Sequence, residues 1–279
     1  MSQSCRVLGV SRAGYYQSRR RVAPTKDVLA SVQVKAAFTT SGKSYGSRRV
    51  RMALAQHGVQ MGRYRVRRLM RENGLRPVWK RKFVSTTDSK HDHPVAQNLL
   101  NRQFNVAQPN RAWVSDITYI RTRQGWLYLA AVMDLYSRKI VGWAMAPTMP
   151  AELVASALQM ALQQRWPEPG LILHSDRGSQ YASDTYQALL TKYGIRCSMS
   201  RKGNCWDNAV MERFFLNLKM ERVWHQDYAN HAEAKKDIVQ YIVGFYNSVR
   251  LHSTLEYTTP VHYELHTAVK KPIAVSEIT

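Results

Sequence analysis

Apolar residues recur with two different periods along the chain, and the change comes near residue 112. Residues 25–75 hold three short stretches in which apolar residues fall at helical spacing, separated by Gly residues. Beyond them, runs rich in β-branched and aromatic residues occupy 113–121, 125–135 and 139–146, with short gaps between them. We therefore expect a small all-helical region followed by an antiparallel meander of three strands.

Helical and strand patterns alternate in the rest of the chain. A helical pattern opens at Pro150. A strand, a helix, a strand, a loop that turns into a helix, and a last helix follow at 170–174, 183–193, 195–200, 203–224 and 230–249. Three hairpin-linked strands and then alternating helices and strands are typical of the ribonuclease-H-like α/β fold, a mixed five-stranded sheet with helices. In that fold the first and fourth strands are neighbours.

Three carboxylates occupy positions that this fold would bring together. Asp116 lies in the first strand, Asp176 directly follows the fourth, and 35 residues separate Asp176 from Glu212 on the later helix. Carboxylates held together repel one another unless a cation lies among them, and Mg²⁺ prefers hard oxygen ligands. Such a site can hold two divalent ions about 3.5–4 Å apart and promote an in-line displacement at phosphorus.

Each acid also has an ordinary structural interpretation. Asp116 and Asp176 are each explained as well by a turn at a strand end, and a single Glu on a helix is most often a solvated carboxylate. Asp134 is a rival for the site, but the residues that follow it indicate a turn into the third strand. The helix that carries Glu212 is expected to begin with Asp207 or Asn208 as its cap.

Charge divides the chain into two parts. The formal net charge is +22 and the pI is about 10.2; residues 1–111 hold 23 Lys and Arg against 4 Asp and Glu, whereas residues 112–279 hold 18 against 15. A basic front part indicates a polyanion partner, and nucleic acid fits better than a membrane surface because no long apolar run or signal-like start is present. Three scattered cysteines favour neither disulfides nor a zinc site and fit a reducing cytoplasm.

The third helical stretch of residues 25–75 carries an unusual density of arginine. Three helices with such a last helix match a helix-turn-helix module, whose final helix lies in the major groove of DNA. The alternative is a solvated basic helix. We favour DNA because five arginines on one helix repel each other unless phosphates neutralise them. These candidate DNA contacts are Arg63, Arg65, Arg67, Arg68 and Arg71.

The patterns predict five regions. Residues 1–24 resemble the end of a truncated helix-turn-helix, with a frayed basic terminus as the alternative, and residues 25–75 form the complete module. Residues 76–111 are predicted to be a basic linker in which Arg81 and Lys82 contact phosphates. The catalytic core is placed at 112–225, and a C-terminal helix and tail at 226–279.

Three sequence motifs resemble those of a known family. They are Trp-Val-Ser-Asp-Ile-Thr-Tyr at 113–119, His-Ser-Asp-Arg-Gly-Ser-Gln-Tyr at 174–181, and Gly-Asn-Cys-Trp-Asp-Asn-Ala-Val-Met-Glu-Arg-Phe-Phe at 203–215. They resemble the signatures of the bacterial insertion-sequence transposases whose second reading frame encodes a retroviral-integrase-like core with a D,D-35-E triad. The resemblance covers nearly the whole chain, including the tail motif at 246–252.

The resemblance implies an activity and its residues. It implies a DNA transposase that cleaves and transfers strands at the ends of its mobile element, with Asp116, Asp176 and Glu212 as catalytic and metal-binding residues. It implies two Mg²⁺ ions, for which Mn²⁺ can substitute, and no organic cofactor. Lys219, seven residues after Glu212, would contact DNA near the cut.

The resemblance also implies partners and place. These are element ends and target DNA, further copies of the chain on paired ends, and fusion to, or dependence on, the product of the upstream frame. The setting would be the bacterial cytoplasm at the nucleoid, without a membrane. Two alternatives remain: a metal-dependent nuclease of the same fold, and a DNA-binding regulator whose core has lost catalysis.

Overall fold

The chain forms two compact units, Met1–Pro77 and Val78–Thr279. The computed structural model describes residues 2–7, 9–20, 25–77, 95–201 and 204–269. The predicted DNA contacts Arg81 and Lys82 lie outside these residues. Among the described helices, none combines the length and the apolar composition needed to cross a lipid bilayer.

The first unit is all helical, as the apolar spacing predicts. Val34, Val50 and Val66, one from each of three successive helices, are fully buried, so these helices share one core. Two short helices precede them where the sequence resembles part of a helix-turn-helix. The helices are α1 (Ser2–Val7), α2 (Arg12–Arg20), α3 (Thr25–Thr40), α4 (Ser47–Gln56) and α5 (Arg63–Glu72).

The second unit is built on a mixed five-stranded sheet, which confirms the predicted fold class. The strands are β1 (Ala112–Thr122), β2 (Gly125–Asp134), β3 (Ile140–Ala146), β4 (Ile172–Ser175) and β5 (Arg196–Met199). Their spatial order is β3-β2-β1-β4-β5. The first three strands pair antiparallel, while β4 pairs parallel to both β1 and β5. The first and fourth strands are therefore neighbours, as expected.

Helices cover both faces of this sheet. Because successive side chains of a strand point to opposite faces, Trp113 packs in one cluster with Leu158, and Val114 in another with Phe214. Leu158 belongs to the first of the six helices that follow β3, and Phe214 to the fourth. The helices are α6 (Ala151–Arg165), α7 (Ser179–Ala182), α8 (Asp184–Lys192), α9 (Ala209–Glu221), α10 (His231–Val239) and α11 (Pro260–Val269).

Two segments outside the predicted core region pack into it. Leu100, in the predicted linker, is buried in the cluster of α9, and its N–H group donates to the Ser198 hydroxyl at 3.2 Å. In the predicted C-terminal region, Arg250 forms a buried ion pair with Glu221 of α9 at 2.8 Å. A continuous helix is expected over 230–249. In the structure the α-helix ends at Val239, and a π-helical segment, Gln240–Tyr246, follows it.

Candidate active site

Asp116 and Asp176 lie side by side because their strands pair in parallel. The pairing of β1 with β4 ends at Val114 opposite His174. Each aspartate lies two residues beyond that pair in its own chain segment, so both reach the same level at the edge of the sheet. Both side chains are half-buried.

Backbone N–H groups orient the two carboxylates. The N–H of Ile117 donates to Asp116 Oδ1 at 2.8 Å, and the N–H of Gly178 donates to Asp176 Oδ1 at 3.0 Å. A Cβ at position 178 would lie 3.1 Å from Asp176 Oδ1 and 2.9 Å from Gln180 Oε1. The glycine of the second motif therefore permits this close approach of backbone to carboxylate.

Glu212 reaches the same edge from α9, in whose first turn it lies. The Asn208 side-chain amide donates to the Ser115 carbonyl at 3.2 Å, which ties the start of α9 to β1 one residue before Asp116. The Ser115 hydroxyl in turn lies 3.1 Å from the buried Tyr181 hydroxyl. The sequence analysis assigns no role to Ser115 or Tyr181. The place of Tyr181 at the end of the second motif is the only feature of the sequence that points to it.

The electrostatic environment of Asp116 includes the other two carboxylates. Burial raises the pKa of Asp116 well above its ordinary value of 3.8, and the negative charges of Asp176 and Glu212 raise it further. The Ile117 N–H group and the Lys219 charge oppose this increase. Burial also raises the pKa of Glu212. The charges of Asp176 and Glu212 therefore both act on Asp116. The assignment of these three acids as one catalytic triad stays a prediction.

Lys219 joins this cluster from the same helix. Its Nζ lies 4.4 Å from the centre of the Tyr119 ring, a cation–π contact, and the side chain is half-buried. Burial lowers the pKa of Lys219, while the negative charge of Asp116 raises it. One positive charge therefore acts on Asp116. The contact with Tyr119 was not expected from the sequence.

The donor set fits a hard divalent cation. Mg²⁺ typically binds through one or two carboxylates and keeps several waters, and the adjoining carboxylates of Asp116 and Asp176 are ligands of this kind. Within the described ranges, however, no three His, Cys, Asp or Glu side chains stand close enough together to enclose a metal as they are placed. The arrangement is an open carboxylate cluster rather than a closed metal cage.

Asp207 does not cap α9, which corrects the expectation for Asp207 and Asn208. Neither side chain makes a capping bond. The fully buried Asp207 carboxylate accepts from the Arg201 N–H group at 2.9 Å, from Arg102 Nε at 2.8 Å and from Asn98 Nδ2 at 2.9 Å. The hydrogen bonds from Arg201 are the main cause that holds the pKa of Asp207 far below its usual range. Asp207 therefore locks the loop before α9 to the segment before β1.

His174, in the second motif, holds strands together instead of facing the carboxylates. Its Nδ1 lies 2.8 Å from the Ser198 hydroxyl and its Nε2 lies 3.2 Å from the Ser200 hydroxyl. Burial lowers the pKa of His174 to about 4. The ring is therefore neutral at physiological pH and bridges β4 to β5 and the loop after it.

The five arginines predicted to bind DNA all lie exposed on α5 of the first unit. Asp27 pairs with Arg65 at 3.0 Å and with Arg68 at 3.2 Å, and the hydrogen bond from Arg65 is the main cause that lowers the pKa of Asp27. The single negative charge of Asp27 is shared by Arg65 and Arg68, so it reduces the repulsion among the five arginines without removing it. Among the described residues, no salt bridge involves the other three, Arg63, Arg67 and Arg71.

Comparisons with known families match both units. The model of an HTH-like domain matches residues 25–83, and two models of an integrase core domain match residues 106–205 and 193–260. Together they cover the helical module, the sheet with its carboxylates, and α9 with the start of the C-terminal region.

Similar proteins extend over almost the whole chain. An uncharacterized 31 kDa protein of insertion element IS600 from Shigella sonnei is 45% identical over 262 residues, covering 93% of this chain and 96% of the relative. Transposase InsF for insertion sequence IS3A from Escherichia coli K12 is 41% identical over 265 residues, covering 93% and 92%. Among solved structures, a chain of the simian T-cell lymphotropic virus intasome in complex with PP2A regulatory subunit B56 gamma matches with a TM-score of 0.50 and 16% identity, over 77% of this chain and 70% of that one. This last likeness shows the fold alone.

Proposed function

The chain belongs to the family of insertion-sequence transposases with an integrase core, and from this premise we propose which residues perform its reaction. It is a DDE transposase, an enzyme of DNA integration and recombination. We assign Asp116, Asp176 and Glu212 as the catalytic carboxylates. The observation that carries this proposal is the parallel pairing of β1 with β4, which places Asp116 and Asp176 at the same level. The raised pKa of Asp116, to which the charges of both other acids contribute, supports it. No specific observation favours a plain nuclease or an inactive regulator.

The same three residues are the proposed ligands of Mg²⁺, for which Mn²⁺ can substitute because it has the same preference for carboxylate oxygen. When bound, two such ions would activate the attacking oxygen and stabilise the leaving oxygen of a phosphoryl transfer. The N–H groups of Ile117 and Gly178 each hold one carboxylate oxygen of the adjoining aspartates, which fixes the direction of the remaining oxygens. Pre-orientation of this kind lowers the entropy cost of reaching the transition state.

The proposed reaction is an in-line displacement at phosphorus. In cleavage, a water oxygen forms a new bond to the phosphorus, the bond from phosphorus to the 3′ oxygen breaks, and a 3′-hydroxyl is released. In strand transfer, the oxygen of a 3′-hydroxyl takes the place of water and bonds to a phosphorus of the target DNA. The bond from that phosphorus to the target's own 3′ oxygen breaks, and the proton lost by the attacking hydroxyl is balanced by the one that the released 3′ oxygen takes up. Lys219 is placed to contact a phosphate oxygen near the cut, because its charge lies beside Asp116.

DNA is the partner of both units in this proposal. The exposed arginines of α5 would contact backbone phosphates, with Arg63, Arg67 and Arg71 carrying the charge that Asp27 leaves unneutralised. We further propose that several copies assemble on paired element ends and that the product of an upstream frame, fused or separate, contributes to end recognition. Action on chromosomal DNA places the protein in the bacterial cytoplasm at the nucleoid.

Cleavage of a labelled fragment that carries the element end and flanking DNA tests the assignment. Wild type, Glu212→Gln and Glu152→Gln are compared with Mg²⁺ and with EDTA; Glu152 is an exposed carboxylate on α6 and serves as the matched control. We expect wild type and Glu152→Gln to nick the boundary only with Mg²⁺. The cleavage rate of Glu212→Gln should fall by more than roughly 100-fold, which is the upper end of the loss typical of residues that only orient a metal ligand.

A second readout does not need catalysis. Mg²⁺ that binds the folded protein raises its melting temperature by mass action, so the wild type should gain stability with Mg²⁺ and Glu212→Gln should gain less. Cleavage by Glu212→Gln at the wild-type rate would remove Glu212 from the catalytic set. The same result with Asp116→Asn or Asp176→Asn would remove that aspartate.

A further inference from the structure

The half of β1 beyond Asp116 has an open side. Pairing with β4 ends at Val114, so residues from 117 onward pair with β2 only. On this half Tyr119 and Trp126 of β2 meet edge to face, with ring centres 5.1 Å apart and an interplanar angle of 88°. Trp126 is 49% exposed. A large aromatic side chain is therefore presented to solvent on the half of the sheet beyond Asp116, opposite Arg121.

Positive charge surrounds this aromatic pair. Lys219 Nζ lies over the Tyr119 ring, and the exposed Arg121 is paired with Trp126 in the register of β1 and β2. Beyond Arg121 a pocket of ≈ 390 Å³ is lined by Arg121, Thr122, Arg123, Gln226 and Asp227. Arg123 and Asp227 neutralise each other at 2.6 Å, and no salt bridge to Arg121 forms within the described part of the chain. The surface thus combines exposed aromatic area with net positive charge.

These features suit one class of ligand. Aromatic side chains flanked by Lys and Arg bind single-stranded nucleic acid, because bases stack on the rings while the cations contact phosphates. Tyr119 lies three residues beyond Asp116, about 10 Å along the strand. Lys219 connects the two places, because its charge acts on Asp116 while its Nζ contacts Tyr119. Asp116 and Tyr119 are an odd number of residues apart, so their side chains leave opposite faces of β1. A DNA strand with its reacting phosphate at the carboxylates would therefore pass around the open side of β1 to reach the aromatic pair.

We propose that Tyr119 and Trp126, flanked by Lys219 and Arg121, form a stacking platform for an unpaired nucleotide of the DNA next to the reacting phosphate. The inference rests on the proposed function, since it assumes that DNA occupies the carboxylate site. An unpaired base is required because stacking within a duplex covers both faces of each base, and only a frayed or flipped base can offer one.

Binding in EDTA tests the platform without cleavage. The probe is a 30-base-pair duplex with a three-nucleotide single-stranded extension, compared with a blunt duplex of the same sequence. We expect the wild type to prefer the extended duplex. Trp126→Ala should lose at least about fivefold of that preference, the lower end of what removal of one stacking side chain costs. Trp126→Phe should keep most of it, because a ring remains.

The matched control is Trp166→Ala, which removes a tryptophan that is 80% exposed at the end of α6, and it should leave the preference unchanged. A second measurement uses wild type alone: 5-iodouracil in the extension should photocrosslink to Tyr119 or Trp126. An unchanged preference in Trp126→Ala, or crosslinks only to other segments, would overturn the platform. Such a result would leave the catalytic assignment intact, because the cleavage assay reads Glu212 independently.

Discussion

Asp116 is a residue whose charge the folded chain disfavours. Burial, then Asp176, and then Glu212 raise its pKa above 3.8. The carboxyl group of such a residue binds its proton more tightly in the folded state than in the unfolded state. The free energy of unfolding therefore decreases as pH rises from the unfolded-state pKa to the folded-state pKa, and it stays at the lower value above the folded-state pKa. Catalytic carboxylates grouped in this way are expected to cost stability at neutral pH.

Replacement of Asp116 by Asn should therefore stabilise the protein while it abolishes cleavage. At pH 8 in EDTA, we expect Asp116→Asn to have a higher melting temperature than the wild type. Each kcal/mol gained by removing the buried, repelled charge should raise the melting temperature by about 2–4 °C. The gain should shrink toward pH 4, because the wild-type carboxyl group then becomes protonated and neutral like the amide. Melting temperatures measured across this pH range check the prediction.

Asp227→Asn provides a control of opposite sign. The hydrogen bond from Arg123 lowers the pKa of Asp227, so its charge stabilises the fold above pH 3.8 and its removal should not raise the melting temperature. If Asp116→Asn melted below the wild type at pH 8, the carboxylates would not form the repulsive cluster inferred here.

At the scale of elements, α9 carries Glu212 and Lys219 and is held at its start by the loop before it. Asp207→Asn should loosen this start, because Arg201 and Arg102 lose their shared anion. Both arginines are partly exposed, so the expected cost is about 2 kcal/mol, less than for a fully buried ion pair. Cleavage should fall as well, since the amide cannot accept all the bonds that hold this loop. Urea unfolding at pH 7 and the cleavage assay measure the two effects.

The stability lost in Asp207→Asn should depend on pH. The pKa of Asp207 is lowered, chiefly by Arg201, so its stabilisation is complete above the ordinary value of 3.8 and declines as pH falls below it. Wild type and Asp207→Asn should therefore converge in acid. Asp184→Asn, an exposed change on α8, should stay within about 0.5 kcal/mol of wild type at every pH. Equal stability of Asp207→Asn and wild type at pH 7 would contradict the locking role.

Predictability from sequence differs between elements for a physical reason. The antiparallel meander follows from local periodicity and short connections, and the three acids are marked by motifs in the first strand, after the fourth strand and on the later helix. The partners of Asp207 do not follow, because Arg102 and Asn98 lie more than 100 residues away in sequence and only the folded chain brings them near. The contact of Lys219 with Tyr119 likewise depends on where β4 stops pairing.

At the scale of the whole molecule, the charge that should govern DNA affinity lies in the first 111 residues. Each phosphate contact that releases a counterion contributes about −0.9 to the slope of log K against log salt. Arg65 and Arg68 share the single negative charge of Asp27 within the first unit, so these two should together release fewer counterions per residue than Arg63, Arg67 and Arg71. The five arginines are thus expected to contribute unequally.

Salt titrations of full-length variants on a 30-base-pair duplex separate these contributions. Replacement of Arg63, Arg67 and Arg71 by Ala should reduce the magnitude of the slope by about 2.7, three contacts at 0.9 each. Replacement of Arg65 and Arg68 should reduce it by less than 1.8, the value for two full contacts. Asp27→Asn should strengthen binding at low salt, because it releases two arginines to the phosphates. Equal slope changes per arginine in both variants, with no gain from Asp27→Asn, would show that α5 does not present this face to DNA.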